Sequence, residues 1–253
     1  MSPVNTTVAS LTRRGLLGRR RTIVLLLLPL ALLALCTLAR VLAELDPDIA
    51  RELDRTLAPD LLSAFGIAVL MPLLSLVAGT GSIGPEIDEG SIVYLLAKPL
   101  NRYSIIVTKL VVAVGVVVVF GVLPVFVAGV VLTGEVGAVT VGHTLGALAG
   151  GIAYSALFLL LAVLTKNAVV IGLIYALIWE SLVGGLVPGA QTLSVQQWSL
   201  AVVEQVLGTS APRYGVASAV SFRVGLTLLV VATVAATAYA GRKLQTVRIG
   251  ESD

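Results

Sequence analysis

The sequence predicts an all-α polytopic membrane protein with six transmembrane helices and both termini in the cytoplasm. Three observations carry that expectation. Hydrophobic residues make up 57% of the chain and charged residues only 12%, at a mean hydropathy of +1.02, whereas a soluble domain is roughly a quarter charged. Residues 61–85 and 110–134 are free of charge, and each run exceeds the about 20 apolar residues that cross a bilayer core. The basic residues fall into groups that alternate between the two sides of such runs, which sets orientation.

Composition also narrows function. The chain of 253 residues is filled by one membrane domain, which leaves no room for a separate soluble enzyme. A single cysteine, Cys36, excludes an internal disulfide, and a single histidine, His143, leaves no Cys/His metal cluster. A pI near 9.2 would suit a nucleic-acid binder, but the arginines gather at the edges of apolar runs, as topology requires. No nucleic-acid partner is expected.

Taken in order, residues 1–21 form a basic leader with Arg13, Arg14, Arg19, Arg20 and Arg21. With Leu11, Leu16 and Leu17 it suits a short helix lying on the inner leaflet, where bases meet anionic lipid. Span one covers about 22–39 and contains Cys36 as a buried apolar residue. Residues 40–60 are acidic. Asp46 followed by Pro47 is a helix-start pair, and Ile49, Leu53 and Leu57 share a face. A short outer surface helix that stops near Pro59 is the expectation.

Span two, about 61–83, should bend at Pro72. Its end, Gly79 to Gly84, formally matches a dinucleotide fingerprint, but that motif has meaning only between a strand and a helix. Pro85 and Glu86 stand where a Walker loop needs Lys and Ser/Thr, so no known motif here binds ATP phosphates. After a loop at 84–109, span three (about 110–132) should bend at Pro124. Span four (about 142–165) opens with Gly142, Gly146 and Gly150, a stripe that admits a second helix closely, either within the protomer or from another subunit. His143 falls at its outer edge, an interfacial position.

Span five, about 168–187, holds Trp179 and Glu180, and Glu180 is the one acid inside an expected span. A charge at bilayer centre costs on the order of 2.5–3.5 kcal/mol on insertion scales, which makes such a residue a functional candidate. The competing reading is an interface residue, since Glu180 lies about 18 Å past Ala168 at ~1.5 Å per residue, in the outer half of the core. Residues 188–223 form the longest outer loop. In it Ser194 and Gln197 make a capping box for a short apolar helix at or dipping into the interface. Span six is about 224–241. With the N-terminus inside, twelve Lys and Arg are cytoplasmic and five are outside.

The 84–109 loop is the richest stretch. Glu86, Asp88 and Glu89 open it, Gly90 precedes a short helix, Pro99 ends that helix, and Lys98, Arg102 and Lys109 close the loop. Acids beside an anionic leaflet are repelled, so exposed acids, an apolar stripe and then bases suit a protein partner better than the lipid surface.

These residues carry a resemblance. The run from Glu86 through Lys98-Pro99-Leu100-Asn101 to Arg102, with Lys109 following, resembles the signature of type 2 ATP-binding-cassette (ABC) exporter permeases, with Asn101 where serine is more usual. The Trp179-Glu180 pair and Pro188-Gly189 resemble the branch that includes the nitrous-oxide-reductase maturation permease. The resemblance implies a multi-pass protein of a prokaryotic cell membrane. Two permeases, a second copy or a paralogue, would form the substrate path, and two separate ATPase subunits would drive it. It also implies that Glu86, Asp88, Glu89, Gly90, Lys98, Pro99 and Arg102 dock as a coupling helix. ATP and Mg would then be bound by the partner, and this chain would carry no catalytic residue, cofactor or metal. The alternative is a small secondary transporter using Glu180 for ion coupling.

Overall fold

A computed structural model describes residues 6–16, 18–88, 102–183 and 189–246. Among them all regular structure is helical, as a bilayer requires of a chain whose backbone polar groups must be satisfied without water. Helix α1 is Thr6–Leu16 and α2 is Arg19–Leu45. Helix α3 runs unbroken through Pro47–Glu52, Leu53–Leu57, Ala58–Leu61, Leu62–Leu70 and Met71–Asp88. Helix α4 joins Arg102–Val117, Val118–Val122 and Leu123–Thr133, and α5 is Ala138–Leu164. Helix α6 joins Ala168–Ile174 and Tyr175–Val183, α7 is Val195–Leu207 and α8 is Phe222–Thr246. Five of these helices are long and apolar enough to cross a membrane: α2, α3, α4, α5 and α8.

Pro59 does not end a surface helix, contrary to the sequence expectation. The helix starts at the Asp46 cap, whose side chain accepts the Asp48 N–H at 2.8 Å, and continues as α3. Three segments of wider, π-type winding explain how: 53–57, 62–70 and 118–122. Each lies about a turn ahead of a proline, Pro59, Pro72 or Pro124 in turn. Proline lacks the N–H that the carbonyl four residues earlier would need, and π winding lets carbonyls skip to the next donor. The Met71 N–H, for example, reaches the Gly66 carbonyl. The early part of α3 also covers His143, which is fully buried in the protein. Its ring nitrogens meet the Ser63 hydroxyl at 3.0 Å and the Val139 carbonyl at 2.8 Å.

Helix α5 is the centre of the bundle, with α3, α4, α7 and α8 packed around it. Its glycine stripe faces α7. A Cβ on Gly142 would meet Leu207, one on Gly146 would meet Val203 and the Ser199 carbonyl, and one on Gly150 would meet the Ser199 side chain. This pairing runs α7 antiparallel to α5 and sets Ser199 level with Gly150, so that α7 starts one turn farther on, near Tyr154, about 24 Å along α5 from Ala138. The 16 described residues of helix α6 rise about 24 Å. They climb along α3 and the C-terminal half of α5, where Gly172 touches Leu76 and Phe158. Helix α7 is set deep in the bundle, with Val195, Trp198, Ala201 and Val203 buried.

Helix α1 is likewise seated in the protein. Val8, Thr12 and Leu16, spaced by one turn, are buried against α3 and α4, while Leu11 faces out. Cys36 is buried in the core.

Candidate functional site

Two groups of polar side chains stand out against this apolar background. The first is at the α1 end of the bundle, where α3 leaves at Asp88 and α4 enters at Arg102. Lys109, two turns into α4, is completely buried, and its ammonium group points back across to α3. It donates to Glu86 Oε1 at 2.8 Å, to the Ser82 carbonyl at 2.7 Å and to the Thr12 hydroxyl at 3.5 Å. A buried ammonium has three donors to satisfy, and here α3 supplies two acceptors and α1 the third. The Glu86 side chain is 29% exposed, although its second carboxylate oxygen, Oε2, is buried, so the pair sits at the edge of the core.

Beside it, Arg102 Nη1 donates to the Leu244 carbonyl at 2.8 Å. That carbonyl is in the last turn of α8, where helix carbonyls lack intrahelical partners and the dipole favours a cation. Tyr103 lies against Gly241. The two ends of the 84–109 loop are therefore tied to each other through Lys109 and to the final helix through Arg102. Of the other expected docking residues, Asp88 ends α3, and Glu89, Gly90, Lys98 and Pro99 lie outside the described residues.

The second group surrounds Glu180. Its carboxylate lies at the start of α7, and the residue is 2% exposed. Oε1 accepts the Tyr175 hydroxyl at 2.9 Å and the Val195 N–H at 3.1 Å. Oε2 accepts the Ser194 hydroxyl and, at 3.4 Å, the Gln196 N–H. Ser194 is the N-cap of α7 and also receives the Gln197 N–H at 3.3 Å. A carboxylate on the first N–H groups of a helix neutralises unsatisfied donors and meets the positive end of the dipole. Tyr154 of α5, fully buried, stands beside the same carboxylate. Trp179 is half-buried and contributes no hydrogen bond to this group among the described residues.

Sequence reasoning finds Glu180 because an acid in an apolar run is conspicuous, but its partners are ordinary polar residues scattered over 40 positions. Lys109 is recognisable only as the end of a motif. That it reaches back to Ser82 and Thr12 depends on how α1, α3 and α4 pack, which no local pattern records.

The arrangement holds helices together: one cluster joins α1, α3 and α4, and the other joins α6 to the start of α7. Comparison with curated proteins and with solved structures returns no match. Residues 14–243, most of the chain, match the family described as ABC-2 family transporter protein. With several apolar helices set for the membrane and a match of that length, the chain belongs to the ABC-2 transporter family, the membrane permease component of ABC transporters.

Proposed function

We propose that this chain is the permease subunit of an ATP-driven exporter in a prokaryotic cell membrane, with six spans and both termini cytoplasmic. α6 and α7 together make the fifth span in this reading. A second permease, identical or paralogous, completes the substrate path, and two ATPase subunits bind ATP and Mg beneath it. The 84–109 loop, with Glu89, Gly90, Lys98 and Pro99, is the element that docks into an ATPase subunit. The kinship to the nitrous-oxide-reductase maturation branch belongs to this proposal as well.

One observation supports the reading most. The loop leaves and re-enters the membrane domain through ends braced by Lys109–Glu86 and by Arg102 on the Leu244 carbonyl. A push on the loop is delivered to α3, α4 and α8 together, as a rigid-body switch driven by ATP closure requires. A secondary transporter needs an acid free to take a cation. Glu180 already receives four donors, so the ion-coupled alternative is the weaker one. Gentle purification of the chain from its own membrane tests the proposal. The expected result is a copurifying ATP-binding chain with vanadate-sensitive hydrolysis. Transport that runs on a proton or sodium gradient, with no ATPase chain bound, overturns it.

A further inference from the structure

We propose that the groove between α1 and α4 is a binding site for one anionic phospholipid. The groove encloses about 610 Å³ and is lined by Ala9, Ser10 and Arg13 of α1 and, along α4, by Val112, Gly115 and Phe120 among others. Its wall is almost wholly aliphatic, and its polar groups gather at the α1 end. Along α4 it runs from Val111 to Phe120, nine residues or about 14 Å at the helical rise. That is about half of a ~30 Å core, the depth of a single leaflet. The dimensions therefore match an acyl chain entering at the α1 side and stopping near mid-membrane.

Charge selects the headgroup. Arg13 is exposed at the mouth and makes no ion pair among the described residues. A guanidinium offers a planar fork of donors that suits phosphate, and the Ser10 hydroxyl beside it adds a further donor. Gly115 is what opens the floor, because a Cβ there would meet nothing within 4 Å. The other helical glycines on α4, Gly121 and Gly129, are pressed against Met71 and Thr140. Gly115 thus makes no close helix contact among the described residues, and its missing side chain leaves room for a ligand. Since α1 also touches Lys109 through Thr12, a lipid in this groove would hold α1 against the braced loop end.

The proposal stands apart from the transport reading and can be tested on the purified chain. Native mass spectrometry in mild detergent would compare retention of phosphatidylglycerol and of phosphatidylcholine with the same acyl chains. Wild type should retain one phosphatidylglycerol per chain in preference to phosphatidylcholine. A Cβ at Gly115 meets no atom within 4 Å and the groove is open beyond it, so Gly115→Leu should fold, as circular dichroism would check. It should lose retention of both lipids at least about tenfold, the equivalent of displacing only two buried methylenes. Arg13→Gln should keep the tail site but reduce the phosphatidylglycerol preference about fivefold, the worth of one cation near an anionic headgroup. If wild type shows no preference, or if Gly115→Leu retains lipid like wild type, the groove is not a lipid site; a protein segment covering it would give the first of these results.

Discussion

Lys109 and Glu180 are both charged and both buried in an apolar bundle, yet they are satisfied in opposite ways. Lys109 is paired with a side chain of opposite charge on another helix, at an end of the bundle where that side chain is partly exposed. Glu180 has no cation beside it among the described residues; backbone N–H groups, two hydroxyls and a helix dipole take that place. The difference teaches what each can do. A side-chain ion pair has two separable partners and can be loosened or exchanged. A carboxylate held by the backbone of α7 is part of the fold, because removing it leaves several donors stranded at once.

Glu180→Ala should therefore have the largest effect. Two N–H groups and two hydroxyls lose their acceptor, at roughly 1–3 kcal/mol for each donor left buried and unsatisfied, so a net loss of about 3 kcal/mol is expected. For a chain of this size that is a fall of about 6–12 °C in Tm, measurable by thermal unfolding in detergent. Glu180→Gln should lose less, about 1–2 kcal/mol, because its amide keeps one acceptor while aiming an NH₂ at donors. If both variants unfold like wild type, Glu180 does not hold α7, and a direct role in transport becomes the better account.

Gly146→Val asks whether packing or the carboxylate seats α7. Its Cβ would fall 2.9 Å from the Ser199 carbonyl and 2.7 Å from Val203, and overpacking of this kind costs about 1–3 kcal/mol. The same unfolding assay should show α7 displaced, with an engineered cysteine at Val203 newly reactive to thiol reagents. An unchanged Tm and an unreactive Val203→Cys would mean that α5 and α7 are not in close contact.

Lys109→Met should cost about 2 kcal/mol, less than the 3–5 kcal/mol typical of breaking a fully buried pair, because the Glu86 side chain is 29% exposed. The double variant Lys109→Met/Glu86→Gln should recover at least half of that loss in a double-mutant cycle. No second-site exchange is expected to rescue Glu180→Ala in the same way. Additive losses at 109 and 86 would show that the pair is not coupled. The smallest effect belongs to Arg102→Ala, about 1–2 kcal/mol for one charge-assisted hydrogen bond. It should appear as faster amide exchange in the last turn of α8, and unchanged exchange there would remove Arg102 as a tie between α4 and α8.

Much of the fold was legible in the sequence because a membrane span is written as a long uncharged run, and 110–134 or 138–164 can hardly be anything else. The Ser194 cap and the Asp46-Pro47 start were equally plain, since capping is a local matter. What was hidden is non-local. Pro59 reads as a stop because proline usually is one, yet π winding carries α3 past it. Residues 188–223 read as a surface loop because nothing in them is long enough to cross. Their helix α7 packs deep against α5, and only the glycine stripe of α5 hinted at a helix coming so close. Glu180 was found by its charge, but its role required knowing which backbone ends beside it.

If the 84–109 loop couples the membrane domain to an ATPase partner, variants within that loop should uncouple the two. Glu86→Lys is a poor probe, since it would set two cations against each other at the Lys109 brace. Glu89→Lys and Gly90→Val change the docking stretch without touching that pair, and Asp54→Lys, at an exposed position of α3 near its opposite end, is the control. Like-charge contacts at an interface can cost several kcal/mol, and 1.4 kcal/mol is already tenfold in binding. Pulldown of the ATPase chain and substrate-stimulated hydrolysis, measured on membranes with equal amounts of each variant, should fall at least about tenfold for both loop variants and stay near wild type for Asp54→Lys. Full association and full stimulation in the loop variants would contradict the account.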